Sequence, residues 1–382
     1  MVRDFNFLLP TDVRFGCGVR KGILECVNAL GIKKPCIVTD SFLISSKYGQ
    51  ELKEKLPNAA VFSDVIANPN IETISKCTKF CKDNDCDGLI ALGGGSSIDT
   101  AKATSVVIKD NNPIDLYLDG KGEDKLEIKE TLPIIAIPTT FGTGSEVSQF
   151  AVITDENTKR KDSITSSKIY PVYSLIDPEV SYELPRNLTI STGLDVLSHA
   201  IESLTGKLYN SLTELMAREA IRIIFEYLPK CLDNDKKARN EVAFASMLAG
   251  IAMSHCCGTL PHGMGCPLSG HCNVPHGLAC GVIQIPTIEI VGKTCHEQLE
   301  ILMKYIDSNF KAEDESCASK ALIKKIKTLF DELGIDGTLK DFNLTDEKIK
   351  AMVPDAKIHG CTGLTMEEID ENTIEKIYQS LK

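Results

Sequence analysis

"LIALGGGSSIDTAKATSVVI", residues 89–108, is the stretch on which the fold turns. It reads as an apolar strand, three glycines, two serines and then a helix. Glycines let a backbone approach a phosphate closely, and serine can cap a helix whose unpaired N–H groups attract anions. Ligands of open α/β sheets also bind at the carboxyl ends of strands. A plain tight turn before a helix would use the same glycines, so this stretch alone leaves both readings open. A second turn, "IAIPTTFGTGSEVS" (135–148), again follows an apolar strand and offers Thr139, Thr140, Thr143 and Ser145 as hydroxyl donors. Two such turns together favour a nucleotide cofactor.

Around these turns the first half alternates strands and helices. "PCIVTD" (35–40), "AAVFSDV" (59–65), "GLIALGGG" (88–95), "LPIIAIPTT" (132–140), "FAVITDE" (150–156) and "YSLIDPE" (173–179) read as strands, with amphipathic stretches at 71–84 and 97–109 between them. Their continuous apolar runs predict burial on both faces, as in a parallel sheet. "GCGVRKG" (16–22) looks like a glycine fingerprint but comes too early and lacks its last glycine, so it reads as a turn. Asp40 ends the strand "IVTD". It could accept from a ribose hydroxyl and repel a 2′-phosphate, or simply cap a helix starting at Ser41.

After Leu184-Pro185 the pattern changes. Segments 189–206, 210–229, 238–255, 296–308, 316–333, 345–353 and 366–381 are helix-length and amphipathic. The expected organisation is an α/β dinucleotide-binding domain over residues 1–183 and an all-helical domain over 184–382. The length of 382 residues agrees with two hydrophobic cores.

A formal net charge of −11 argues against nucleic acid or an anionic membrane as partner, and the longest basic run is Lys159-Arg160-Lys161. No uninterrupted apolar stretch reaches the roughly 18 to 20 residues needed to cross a bilayer. The N-terminus lacks the apolar core and cleavage site of a signal peptide, so a cytoplasmic location is expected. The fifteen cysteines are scattered with no C-x-x-C pair. The groupings Cys77, Cys81, Cys86 and Cys256-Cys257 do not match zinc or iron–sulfur spacing, and most cysteines read as reduced, buried small hydrophobes.

Three of the seven histidines fall in "LPHGMGCPLSGHCNVPHGL" (260–278). A structural zinc knot, a catalytic metal site or a His-rich loop would each account for it. In "STGLDVLSHAIESLTG" (191–206), Asp195 and His199 stand one helical turn apart on the same face. They could chelate a metal or form a surface hydrogen bond, but His262 and His276 lie in the same half, flanked by glycines. One carboxylate and three imidazoles, with no thiolate, suit Fe²⁺ or Zn²⁺ in an open catalytic site.

"GGGSSIDTAKA" (93–103), "PTTFGTGSEVS" (138–148), "GLDVLSHAIES" (193–203) and "PHGMGCPL…VPHGLA" (261–279) together resemble the iron-containing alcohol dehydrogenase family, in order and across essentially the whole chain. The resemblance implies an N-terminal dinucleotide-binding domain, a helical C-terminal domain and a metal-dependent site in the cleft between them. It implies that Asp195, His199, His262 and His276 bind the metal. It places Gly94, Gly95, Ser96, Asp99, Thr139, Thr140, Thr143, Ser145 and Lys161 around the cofactor, with Asp40 favouring NAD over NADP. The implied activity is reversible alcohol oxidation or aldehyde reduction, or a related glycerol or polyol dehydrogenation, in a homodimer or larger homo-oligomer. Many relatives carry a further histidine four residues after the third ligand; here that position is Cys266, which leaves the proton path and the substrate open. His271 matches no ligand position, and Cys266 and His271 are expected as pocket residues.

Overall fold

A computed structural model of the chain describes residues 4–110, 112–156 and 160–382, so Lys159 of the basic run lies outside the described residues. Two units are formed among the described residues, one by Leu8–Leu184 and one by Pro185–Lys382 with residues 4–7.

In the first unit the strands are β1 Asp12–Phe15, β2 Pro35–Val38, β3 Ala60–Phe62, β4 Gly88–Gly93, β5 Ile134–Pro138, β6 Phe150–Asp155, β7 Arg160–Thr165 and β8 Tyr173–Ile176. Six of them form one parallel sheet in the order β1-β8-β5-β4-β2-β3. Every residue of β2, β4 and β5 is buried, as their uninterrupted apolar sequence requires. Alternate residues enter different cores. Cys36, Val38, Leu89, Ala91, Ile134 and Ala136 fill one face, while Ile37, Ile90, Leu92, Ile135 and Ile137 fill the other. The helices of this unit are α1 Ile23–Ala29, α2 Ser41–Ser45, α3 Lys47–Lys55, α4 Ile71–Asp83 and α5 Gly95–Asp110.

From β2 the chain steps outward to β3, then returns past β2 to β4, β5 and β8. The strand order therefore reverses between β2 and β4, where a doubly wound sheet leaves a crevice beyond its strand ends. Asp40 follows β2 and the glycine run closes β4 at that point.

Two expectations are corrected here. "FAVITDE" does not join the parallel sheet: β6 pairs antiparallel with β7, Thr154 opposite Lys161. Only Ala151 and Ile153 of β6 are buried, so it has one wet face and does not need two apolar ones. Strands β1 (DVRF) and β7 (RKDSIT) were not anticipated, because β1 is short and both carry charged residues in place of an apolar run. The segment at 16–22 is a turn and a single 3₁₀ turn, Val19–Gly22, with Gly18 at φ +83°. Its Arg20 gathers Glu179 at 2.8 Å and Glu51 at 2.9 Å.

The second unit is helical: α6 Arg186–Thr205, α7 Ser211–Cys231, α8 Lys236–Cys256, α9 Leu260–Cys272, α10 His276–Val291, α11 His296–Ile306, α12 Cys317–Leu333, α13 Asp346–Ile358, α14 Gly360–Gly363 and α15 Glu371–Ser380. From Gly193 onward helix α6 is buried on all sides, and it packs against α7, α8 and α10, so it is the core element of the unit. The His-rich stretch is neither knot nor loop; it lies on α9 and the start of α10. Pro261 sits in the first turn of α9, where a missing N–H costs nothing. Gly263 and Gly265 serve packing: a Cβ there would lie 2.0 Å from Thr362 Oγ1 and 2.7 Å from Cys280 Sγ. No single helix among the described residues is long and apolar enough to cross a membrane.

One buried charge fixes the second glycine turn. Lys102 of α5 is fully buried and donates to the carbonyls of Ser148 at 2.8 Å and Phe150 at 2.7 Å, tying α5 to the start of β6. Near it, burial pushes the Glu146 carboxyl up to about 7, with the Lys102 charge opposing. Because the folded value exceeds the unfolded one, the folded protein holds this proton more tightly than the unfolded chain. The resulting stability is present below about pH 4.5 and is lost as pH rises through about 7. Glu146→Gln should therefore flatten the fall in thermal midpoint between pH 5 and 7. Parallel slopes for the two proteins in differential scanning fluorimetry would count against the buried, protonated carboxyl.

Candidate functional site

Helix spacing sets the first part of the site. Asp195 and His199 lie one turn apart on α6, and Glu202 follows at three residues beyond His199. His262 enters from the first turn of α9, and His276 opens α10. Close helix contact brings them together. A Cβ at Gly277 would lie 1.9 Å from the Ser191 carbonyl and 2.8 Å from Asp195 Cβ. Only glycine after His276 lets the start of α10 reach α6.

The three imidazoles converge on a single oxygen. Asp195 Oδ1 lies 3.7 Å from His262 Nε2 and 4.0 Å from the Nε2 atoms of both His199 and His276. The His199 and His262 rings stack at 4.6 Å between centroids, and His276 meets His262 edge-on at 5.2 Å. Burial opposes charge on Asp195, but His199, His262 and His276 outweigh it and hold the carboxyl well below the usual range.

Glu202, which sequence reasoning missed, sets the orientation of His262. It is fully buried and accepts from His262 Nδ1 at 2.7 Å, from Gln284 Nε2 at 3.1 Å, and from the hydroxyl of Thr259 at 3.2 Å. The Thr259 backbone N–H donates to it as well. With its proton on Nδ1, a neutral His262 turns a lone pair at Nε2 toward Asp195. Two acceptors then face each other: Asp195 Oδ1 and His262 Nε2 are both buried and without a hydrogen-bond partner. Orphaned acceptors in an interior are costly, and a cation between them removes that cost. A carboxylate and imidazoles fit a borderline divalent ion such as Fe²⁺.

A thiol joins this centre unannounced. Cys280, one turn beyond His276 on α10 and fully buried, lies 3.8 Å from His276 Nε2. Donor atoms of Asp195, His262, His276 and Cys280 all fall within 4.8 Å of one another. The spacing His276–Cys280 was available in the sequence, as was Asp195–Glu202 at two helical turns. Neither matched a metal-ligand pattern of its own. Cys266, one turn after His262, lies beside the His359 imidazole. His271 points to α13, with Nε2 3.8 Å from Asp355.

In the α/β unit the two glycine turns pack on each other. A Cβ on Gly94 would lie 2.5 Å from Thr140 Oγ1, and one on Gly95 would lie 2.8 Å from Thr143 Cγ2. Gly93 has φ +154°, and a Cβ there would meet Ser97 Oγ at 2.2 Å. The turns thus form one cradle at the carboxyl ends of β4 and β5, with the N-terminus of α5 at its base. Asp99 is a strut beneath it: buried, it accepts from Ser145 Oγ at 2.6 Å and from Val152 N at 3.2 Å. Thr143 Oγ1 accepts from Ser145 N at 3.2 Å, and Thr139 is 5% exposed. Ser96 Oγ accepts from the Asn68 backbone at 3.3 Å, while Lys161 reaches Asn68 Oδ1 at 2.8 Å. Asp40 caps α2, its Oδ1 accepting from Leu43 N at 2.9 Å. A carboxylate has two oxygens, so the cap leaves the other for a ligand.

A dinucleotide-type sheet with a glycine cradle at its strand ends, and a helical unit with an acid-and-imidazole centre, are the parts expected of a nicotinamide- and metal-dependent oxidoreductase. Comparison with known proteins agrees. The profile for iron-containing alcohol dehydrogenase matches residues 10–178, and that for the C-terminal part of the Fe-containing alcohol dehydrogenase family matches residues 189–382. The chain is 32% identical to an NAD-dependent methanol dehydrogenase of Bacillus methanolicus, covering 94% of each chain. It is 30% identical to an NADPH-dependent butanol dehydrogenase of Clostridium saccharobutylicum, over 98% of this chain and 97% of the other. Its structure matches sulfoacetaldehyde reductase from Bifidobacterium kashiwanohense in complex with NAD⁺, with a TM-score of 0.89, 30% identity and 99% of each chain covered. The chain belongs to the iron-containing alcohol dehydrogenase family. It is an alcohol dehydrogenase or aldehyde reductase that uses iron and a nicotinamide cofactor.

Glu202→Gln keeps the size of the side chain but replaces one acceptor oxygen with a donor amide. It should weaken metal binding by about 10- to 100-fold, the usual cost of losing such a supporting contact. Competition titration against a chromophoric chelator would measure this, and an unchanged affinity would remove Glu202 from the site.

Proposed function

We propose that Asp195, His199, His262 and His276 hold the metal, with Glu202 fixing His262. The observation that carries this reading is the pair of buried, partnerless acceptors, Asp195 Oδ1 and His262 Nε2, ringed by two further imidazoles. Bound there, Fe²⁺ supplies Lewis acidity at the substrate oxygen, and Zn²⁺ suits the same donors. The protein's own share is positional. Asp195 brings a negative charge that a divalent ion neutralises, and the buried surround keeps water from competing.

The cofactor reading gives residues 1–183 to the dinucleotide and 184–382 to the metal. Gly94, Gly95 and Ser96 would offer backbone N–H groups to the pyrophosphate, and Thr140, Thr143 and Thr139 the facing wall. Asp99 and Ser145 would brace that wall, and Lys161 would reach the cofactor from β7. Asp40, at the point where strand order reverses, would accept from the ribose and repel a 2′-phosphate, which favours NAD.

For substrate we favour a small uncharged alcohol and its aldehyde. Asp195 and Glu202 take imidazole, hydroxyl and amide partners, and among the described residues neither is paired with a lysine or arginine that an anionic substrate could share. A glycerol or polyol substrate is the second reading. The fifteen cysteines are all free, which accords with a reducing, cytoplasmic setting. A homodimer or larger homo-oligomer is proposed with it.

Stripping the protein of metal should abolish oxidation of butanol or propanediol with NAD, and reloading anaerobically with Fe²⁺ should restore it. Full activity in metal-free protein would sink the assignment of the four ligands. Asp40→Gly should raise kcat/KM for NADP relative to NAD by about tenfold, or about 1.4 kcal/mol. An unchanged ratio in steady-state assays with both cofactors would return Asp40 to capping alone.

A further inference from the structure

A second group of donors lies away from this chemistry. Cys77 and Cys81 stand one turn apart on α4, and Cys36 is the second residue of β2. After α4 the chain turns back through Asn84 and Asp85, the latter at φ +48°, and the Cys86 N–H closes on the Cys81 carbonyl at 2.9 Å. That left-handed residue tucks Cys86 under the helix end, and all four cysteines enter the same core between α4 and the sheet. The sulfurs of Cys36, Cys81 and Cys86 all lie within 4.8 Å of one another. The Cys77 thiol lies alongside that of Cys81.

We propose that Cys36, Cys77, Cys81 and Cys86 form a closed structural site for a thiophilic d¹⁰ cation, Zn²⁺ above all.

Tetrahedral zinc with sulfur ligands at about 2.3 Å sets its sulfurs about 3.8 Å apart. The three sulfurs therefore need to close by less than about an ångström to meet this geometry. Cysteines used only as small hydrophobes would be spread among the aliphatic side chains of this core. Instead, three thiols from three chain segments converge, with the Cys77 thiol beside one of them, Cys81. A second observation points the same way. The Thr104 hydroxyl on α5 is fully buried, satisfies no strong acceptor, and stands against the Cys77 thiol. A thiolate at Cys77 would give it a strong acceptor in place of a weak one.

On binding, each ligating thiol releases its proton to solvent, and a dication cancels two of the four thiolate charges. The Thr104 hydroxyl serves one sulfur carrying the remainder. Cys36, Cys77 and Cys81 have no solvent access, so the ion would be taken up as the unit folds. It would pin β2 to α4. The chain spacing hid this site, because Cys77-x₃-Cys81-x₄-Cys86 acquires its fourth partner from Cys36, far upstream.

The test uses full-length protein grown in cobalt medium and carrying Asp195→Asn and Cys280→Ser, which disable the other centre and remove its thiol. A thiolate-to-cobalt charge-transfer band with tetrahedral d–d bands is expected in that protein, with about one equivalent of cobalt by elemental analysis. Adding Cys81→Ser should remove both. Zinc-grown wild type should retain about one equivalent after a chelator has emptied the Asp195 centre. Absence of the charge-transfer band in the cobalt-grown double variant would overturn the proposal. So would recovery of any two of the four cysteines as a disulfide after alkylation in the cell. The spectrum of the double variant decides the matter even where Cys81→Ser fails to fold.

Discussion

The helical unit is organised around one expense: a carboxylate oxygen, Asp195 Oδ1, held inside the protein without a hydrogen bond. An interior acceptor of this kind costs on the order of 1–3 kcal/mol even when neutral, and more when charged. Three imidazoles stand at 3.7 to 4.0 Å and favour the charged carboxylate, yet none is close enough to donate a hydrogen bond to that oxygen. The arrangement is coherent once a cation stands among them, and the surrounding residues follow from that. Glu202 exists to aim one imidazole, and Gln284 and Thr259 exist to satisfy Glu202.

The same constraint explains the glycines. Four donor residues on three helices can share one point only if the helices approach more closely than ordinary side chains permit. Gly277 meets the backbone of α6, and Gly258 meets the ring of His262, where a Cβ would lie 2.9 Å from Cγ. Gly263 and Gly265 bring α9 against Thr362 and Cys280 in the same way. The glycine and proline richness of residues 260–278 thus reflects packing density around the centre and not irregular backbone.

That is also where the sequence misled. Helices α6 to α8 announce themselves by apolar periodicity and length, and β2, β4 and β5 by unbroken apolar runs. Helices α9 and α10 carry Pro267 and Pro286 inside them and have little polar-to-apolar contrast, since almost every face is covered. Periodicity reports a boundary between core and water, and a helix without that boundary is silent. Strand β6 erred the other way: its apolar content suggested a two-sided burial that its hairpin with β7 does not need. Asp195 and His199 were legible because a helix puts them on one face. Glu202 lies on that face too, yet a buried glutamate in a helix carries no mark of its role until its partners from α9 and α10 are in place.

The meshing of the two glycine turns has a consequence for how such a chain can change. Gly94 is filled by Thr140 and Gly95 by Thr143, so the walls of the cradle are one another's floor. A drift in either loop shifts the other, and neither can be remodelled by itself without opening a gap or forcing a clash. A change in the proposed grip on the dinucleotide would then need paired replacements across β4 and β5, or one outside the mesh, at the rim. The rim is where Asp40 stands, on a separate strand end and capping a short helix, free to vary while the mesh stays intact. On the proposed cofactor site, retention of the cofactor and choice of cofactor would in this way be carried by different parts of the chain.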